Sequence, residues 1–159
     1  MFSFHHVSLS VRNLEESISF YGVFGFEPVF RWQAEDGKLA IVHLTQGIHA
    51  HRPAGDFQSS KRQSGPFVKQ GEVMLELFCF ADAVDAPESS KKLATDLPRI
   101  GIKHFGIKVA DIHAAKEQLE TEGLAEGVEV VQGKTGIDYF FIKDPSGILV
   151  EIVQDERRL

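Results

Sequence analysis

The chain of 159 residues holds one cysteine, Cys79, so no disulfide can form within it; such sparing use fits a reducing compartment. No run reaches the ~18 consecutive apolar residues that a membrane-spanning helix needs. Cations are in the minority, 17 Lys and Arg against 23 Asp and Glu for a net charge of −6, which argues against a nucleic-acid partner. The opening MFSFHHVSLSV has neither a charged leader nor a long apolar stretch, so no secretory signal is expected and the expected location is the cytoplasm. What is present is ordinary for a globular protein: 43% hydrophobic and 25% charged residues. The length allows one well-buried domain or two fused half-domains.

The second possibility is favoured by an internal repeat. His6-Val7-Ser8-Leu9-Ser10-Val11-Arg12-Asn13-Leu14 aligns with His104-Phe105-Gly106-Ile107-Lys108-Val109-Ala110-Asp111-Ile112 at a constant offset of 98, and Gly25 falls on Gly123 at the same offset. Residues 4–11 and 102–109 alternate as half-buried strands do. Asn13 and Asp111 are suited to cap helices over about 14–23 and 112–122, because a short side-chain oxygen accepts from the free amides of a first turn. Gly25 and Gly123 then end those helices. Three further strands are predicted in each half, near 26–33, 38–44 and 72–80, and near 127–132, 137–143 and 147–153. Asp144-Pro145-Ser146-Gly147 supplies the last hairpin turn.

The expected organisation is therefore α+β. A first βαβββ module spans 1–80 and includes a long irregular loop at 45–70. A linker at 81–99 carries a short helix bracketed by Pro87 and Pro98, and a second βαβββ module spans 100–159. Loops as long as 45–70 are usually functional or disordered.

Strand alternation decides which residues share a face. His6, Ser8 and Ser10 lie opposite Val7, Leu9 and Val11; His104, Gly106 and Lys108 lie opposite Phe105, Ile107 and Val109. Glu76 and Glu151 are lone carboxylates inside apolar runs, where an unpaired charge costs several kcal/mol (roughly) or shifts its pKa. A single strand histidine is ordinarily a hydrogen-bonded core residue, and either glutamate alone could face solvent at a sheet edge. Two histidines and two glutamates in repeat-related positions are explained together by one divalent cation. Imidazole with carboxylate suits Ni, Co, Zn, Fe or Mn, and the lack of thiolate argues against a structural zinc. His5, which faces the helix side or the sheet edge, is excluded as a ligand.

The stretches HHVSLSVRNLEESISFYGVFGFEPV, VMLELF, KHFGIKVADI and DYFFIKDPSGILVEIV resemble the vicinal oxygen chelate superfamily, which includes glyoxalase I, bleomycin-resistance proteins, extradiol dioxygenases and methylmalonyl-CoA epimerase. They cover most of the chain outside 45–70 and 81–99. The resemblance implies a curved, barrel-like mixed sheet with helices outside. It also implies metal positions at His6, Glu76, His104 and Glu151, and a homodimer acting on a small molecule. Glyoxalase I-like enzymes fill all four positions. Ring-cleaving Fe(II) dioxygenases use the first, third and fourth, and members that only sequester a drug usually lack the ligands. Glu76 thus points toward a glyoxalase I-like lyase or isomerase working on a small α-oxygenated substrate through an enediolate. Glu151 is then the base, and Glu76 a ligand or second acid/base.

Substrate contacts are less defined. Arg52, Lys61, Arg62 and Lys69 make the 46–70 stretch cationic, either as an anion-binding lid or as a solvated loop. His49 and His51 form an H-x-H pair there, but loops position ligands poorly. Phe78, Phe80, Tyr139 and Phe141 wall an apolar pocket or belong to the core. The first strand carries Ser8 and Ser10 and no counterpart of the glutathione-binding arginine of glyoxalase I, so the substrate need not be a glutathione conjugate.

Overall fold

A computed structural model describes residues 4–46 and 73–157. The chain divides into two compact units, Met1–Ala81 and Asp82–Leu159. In the first unit the order is β1 (His6–Ser10), α1 (Leu14–Gly22), β2 (Phe26–Gln33), β3 (Leu39–Gln46) and β4 (Val73–Phe80). The second begins with a 3-10 turn at Glu88–Ser90 and α2 (Leu93–Asp96), both lying between Pro87 and Pro98. It continues with β5 (Phe105–Lys108), α3 (Ile112–Thr121), β6 (Val131–Gln132), β7 (Asp138–Lys143) and β8 (Leu149–Gln154).

Each unit makes its own four-stranded sheet, in the orders β1-β4-β3-β2 and β5-β8-β7-β6. In both, the first strand pairs in parallel with the last and the remaining pairs are antiparallel. Two βαβββ modules are thus present, as expected, each carrying its own open four-stranded mixed sheet. Every ladder lies within a module, with β1 and β2 as the edges of the first sheet and β5 and β6 as those of the second.

Local chemistry explains the elements. The Asn13 side chain accepts from the amides of Glu15 and Glu16, and Asp111 accepts from those of His113 and Ala114. Gly123, at φ +73°, ends α3, and the Leu124 amide bonds back to the Leu119 carbonyl 2.8 Å away. In the last hairpin Asp144 accepts from the amides of Ser146 and Ile148, as the turn motif predicts. Several expected strands are shorter than their sequence pattern, the first being His6–Ser10 of 4–11, and two others are shortened in ways that bear on the site or the sheet edge. The 127–132 strand shrinks to Val131–Gln132; its first expected position, Gly127, takes φ +71°, which a strand does not use. Only Phe105–Lys108 of the 102–109 stretch pair with β8, so His104 sits immediately before its strand.

Helix α1 lies against β2 and β4, and α3 against β8. Leu9, Val11, Tyr21, Val42, Leu44, Leu75 and Leu77 fill the core of the first module. Ile107, Ile112, Leu119, Phe140, Ile142, Val150 and Ile152 fill that of the second. The alternate residues of β1, β4 and β8, those carrying the histidine and the glutamates, are consequently turned to the opposite face. Asp96, buried at the end of α2, is neutralised by Arg99 at 3.1 Å and Lys103 at 3.2 Å.

Candidate functional site

In the first module Glu76 stands on β4, a central strand, directly opposite Ser8 of β1 on one side and His43 of β3 on the other. All three share a face. The Ser8 hydroxyl donates to Oε2 of Glu76, and Nε2 of His43 lies 3.1 Å from Oε1. Nε2 of His6 lies 3.4 Å from Oε2. Only 18% of the Glu76 side chain is exposed, which rules out a carboxylate pointing freely to solvent from an edge strand. Its pKa is held below the ordinary value of 4.5, first by the Ser8 hydrogen bond and then by the hydrogen bond and charge of His43 and the charge of His6; burial opposes them. The His5 and His6 Nδ1 atoms are 2.8 Å apart, so one ring donates to the other and His5 braces the His6 imidazole.

The second module repeats the pairing with different neighbours. Glu151 stands on β8, opposite Gly106 of β5 and Phe141 of β7, and is 17% exposed. Nε2 of His104 lies 3.6 Å from its Oε2. The His104 ring meets Phe141 edge-on, with centroids 4.9 Å apart, and its buried Nδ1 has no hydrogen-bond partner among the described residues. Gly106 has no side-chain donor; a Cβ there would sit 3.4 Å from Oε2 of Glu151.

All four expected metal residues therefore form two equivalent histidine–carboxylate pairs, one in each module. Two donors do not complete a metal shell. Among the described residues no cluster of three or more His, Cys, Asp or Glu is arranged to hold an ion. Both pairs nevertheless have the donor chemistry of a divalent site, and the unpartnered buried Nδ1 of His104 is the kind of polar atom that a ligand or ion satisfies.

The expected substrate residues fare unevenly. Phe78 shares the face of Glu76 and stacks on the partly exposed Phe80, centroids 6.1 Å apart. Tyr139 packs edge-on to Phe141 at 5.5 Å, on the face of Glu151. Arg52, Lys61 and Arg62, like His49, His51 and Lys69, lie outside the described residues. A cleft of about 320 Å³ in the first module, lined by Arg31, Glu15, Trp32 and Ile41 among others, includes none of the four paired residues. No described helix is long and apolar enough to cross a membrane.

The sequence expectations omit His43 and the hydroxyl of Ser8. The available signal is that His43 interrupts the apolar run Leu39–Leu44 on β3. It also lies 98 positions before Phe141, the offset of the repeat, so its role is visible once the register sets it opposite Glu76.

The sequence profile of the Glyoxalase/Bleomycin resistance protein/Dioxygenase superfamily matches residues 3–152. A lactoylglutathione lyase of Pseudomonas putida is 31% identical over 155 residues, covering 96% of this chain and 85% of that protein. A lactoylglutathione lyase of Pseudomonas aeruginosa is 30% identical over 152 residues, covering 95% and 81%. Among solved structures, a glyoxalase family protein from Enterococcus faecalis superposes with a TM-score of 0.63 at 21% identity, covering 95% of this chain and 96% of its own.

Proposed function

Because this chain belongs to the Glyoxalase/Bleomycin resistance protein/Dioxygenase superfamily, we propose that it is a metal-dependent lyase or isomerase of glyoxalase type, acting on a small α-oxygenated molecule. The observation that carries this reading is the duplicated pair: an imidazole Nε2 set 3.4 Å from one strand carboxylate and 3.6 Å from its counterpart. His6, Glu76, His104 and Glu151 together would supply four donors to one divalent ion, leaving places for substrate oxygens. Ni, Co, Zn, Fe and Mn all accept such a set. When bound, the ion would draw electron density from two adjacent substrate oxygens and acidify the neighbouring C–H bond.

The chain's own residues then handle the proton. Glu151, whose strand neighbours Gly106 and Phe141 carry no side-chain donor, takes a proton from one carbon and returns it to the next. The aromatic rings of Phe78 and Tyr139 lie on the carboxylate faces and can shield the reacting carbons from water. The names of the two bacterial relatives make a glutathione adduct the first substrate to try, with Arg52, Lys61 and Arg62 as its candidate anion-binding residues. Assembly as a homodimer belongs to the same proposal.

The test is to load metal-free protein with each of the five ions, measure the bound metal, and follow formation of lactoylglutathione. About one ion per four-donor set, with turnover that depends on it, is expected. Clearly substoichiometric metal under all conditions contradicts the reading. Oxygen uptake with catechols would instead assign the dioxygenase reaction. Tight ligand binding that survives Glu151→Gln without turnover would assign a binding protein.

A further inference from the structure

The two paired carboxylates are equivalent in strand position and unequal in what holds them. Glu76 has a donor on each oxygen, from each flanking strand: Ser8 on Oε2 and His43 on Oε1. A carboxylate only accepts, so the His43 contact fixes that ring's proton on Nε2. The ring itself is half-buried and packs against Phe30, centroids 5.2 Å apart, so it is not a free rotor. Two donors on two different oxygens set both the position and the plane of the carboxylate. At Glu151 the same two register positions are Gly106 and Phe141, and neither side chain can donate.

Resting on the glyoxalase-type reading above, we propose that His43 is a positioning residue which, with Ser8, clamps the Glu76 carboxylate as a fixed donor and so assigns proton transfer to the unclamped Glu151. His43 touches neither substrate nor the transferred proton; it acts through Glu76. Groups that orient a ligating carboxylate from behind raise metal affinity because the bound geometry is already formed before the ion arrives.

The experiment is calorimetric titration of the metal-free full chain with Ni²⁺, comparing wild type with His43→Phe, Ser8→Ala and His43→Gln. His43→Phe installs the residue that the repeat carries at position 141, and Gln keeps a side-chain N–H donor. His43→Phe and Ser8→Ala are each expected to weaken Ni²⁺ binding about 10–100-fold, and His43→Gln to recover most of the loss. A merely structural His43 would instead lower the unfolding midpoint of the metal-free protein without rescue by Gln, and that result overturns the proposal. Should His43→Phe fail to fold, Ser8→Ala reads the same clamp from the other strand. Wild-type affinity in both Ser8→Ala and His43→Phe (or, failing that, in Ser8→Ala alone) overturns the proposal while leaving the glyoxalase-type reading intact. A wild-type protein that binds no Ni²⁺ and none of the other four ions overturns both.

Discussion

The first and second modules share strand order, helix caps, the parallel pairing of first strand to last, and a histidine facing a glutamate on the central strand. They diverge at two positions flanking that glutamate: Ser8 and His43 in one, Gly106 and Phe141 in the other. The shared strand order, caps and pairing are those the sheet needs to form; the divergent positions lie, with the shared histidine–glutamate pair, on the face turned away from the helix, where packing does not dictate the residue. Duplication thus leaves the fold symmetric and lets the chemistry of the two carboxylates separate.

The largest effect that separates the carboxylates is expected from Glu151→Gln. As the base, its loss should lower turnover at least about 100-fold, a larger loss than any weakening of metal binding, because the amide oxygen still offers the ion a donor. Glu76→Gln, whose amide oxygen still offers a donor, should cost less turnover and show mainly in metal affinity. Equal losses of turnover in the two variants would erase the asymmetry. A second, smaller effect comes from transferring the clamp. In the double variant Gly106→Ser with Phe141→His, a Cβ at 106 meets Oε2 of Glu151 at an ordinary 3.4 Å, so the sheet should tolerate it. Turnover should fall about tenfold as Glu151 becomes held, while metal affinity holds or rises; unchanged turnover would show that freedom of Glu151 does not matter.

The smallest effect is on the acid side of stability. The pKa of Glu76 is depressed by Ser8, His43 and His6, so the unfolded chain binds the proton more readily than the folded one. Its stabilisation is fully present above the ordinary value of 4.5 and is lost as pH falls through the depressed folded value. Unfolding midpoints of the metal-free protein should therefore fall with acid more shallowly in Ser8→Ala than in wild type. Identical acid profiles would mean that the hydrogen bond contributes nothing to the ionised state.

Much of this was legible in the sequence. The offset of 98 gave the duplicated module, the caps at Asn13 and Asp111 gave the helix starts, and the lone glutamates in apolar runs gave the paired sites. Period-two alternation predicts which face a side chain takes, and His6, Glu76 and Glu151 take it. Alternation carries no information on which strands lie side by side, so the partners of Glu76 required the register of β1, β4 and β3. The short β6 lies inside a longer apolar pattern whose first position, Gly127, takes a left-handed φ that a strand does not use. The cationic stretch with Arg52, Lys61 and Arg62 has no periodicity to read, and it lies outside the described residues.

The proposed function requires that both histidine–glutamate pairs serve one metal. Anomalous X-ray density from crystals of the cobalt-loaded protein tests it most directly. The account predicts one ion bonded by His6, Glu76, His104 and Glu151, whether these come from one chain or from two copies. An ion bonded by residues of a single module, or four imidazole and carboxylate groups with no ion among them at saturating cobalt, would contradict it.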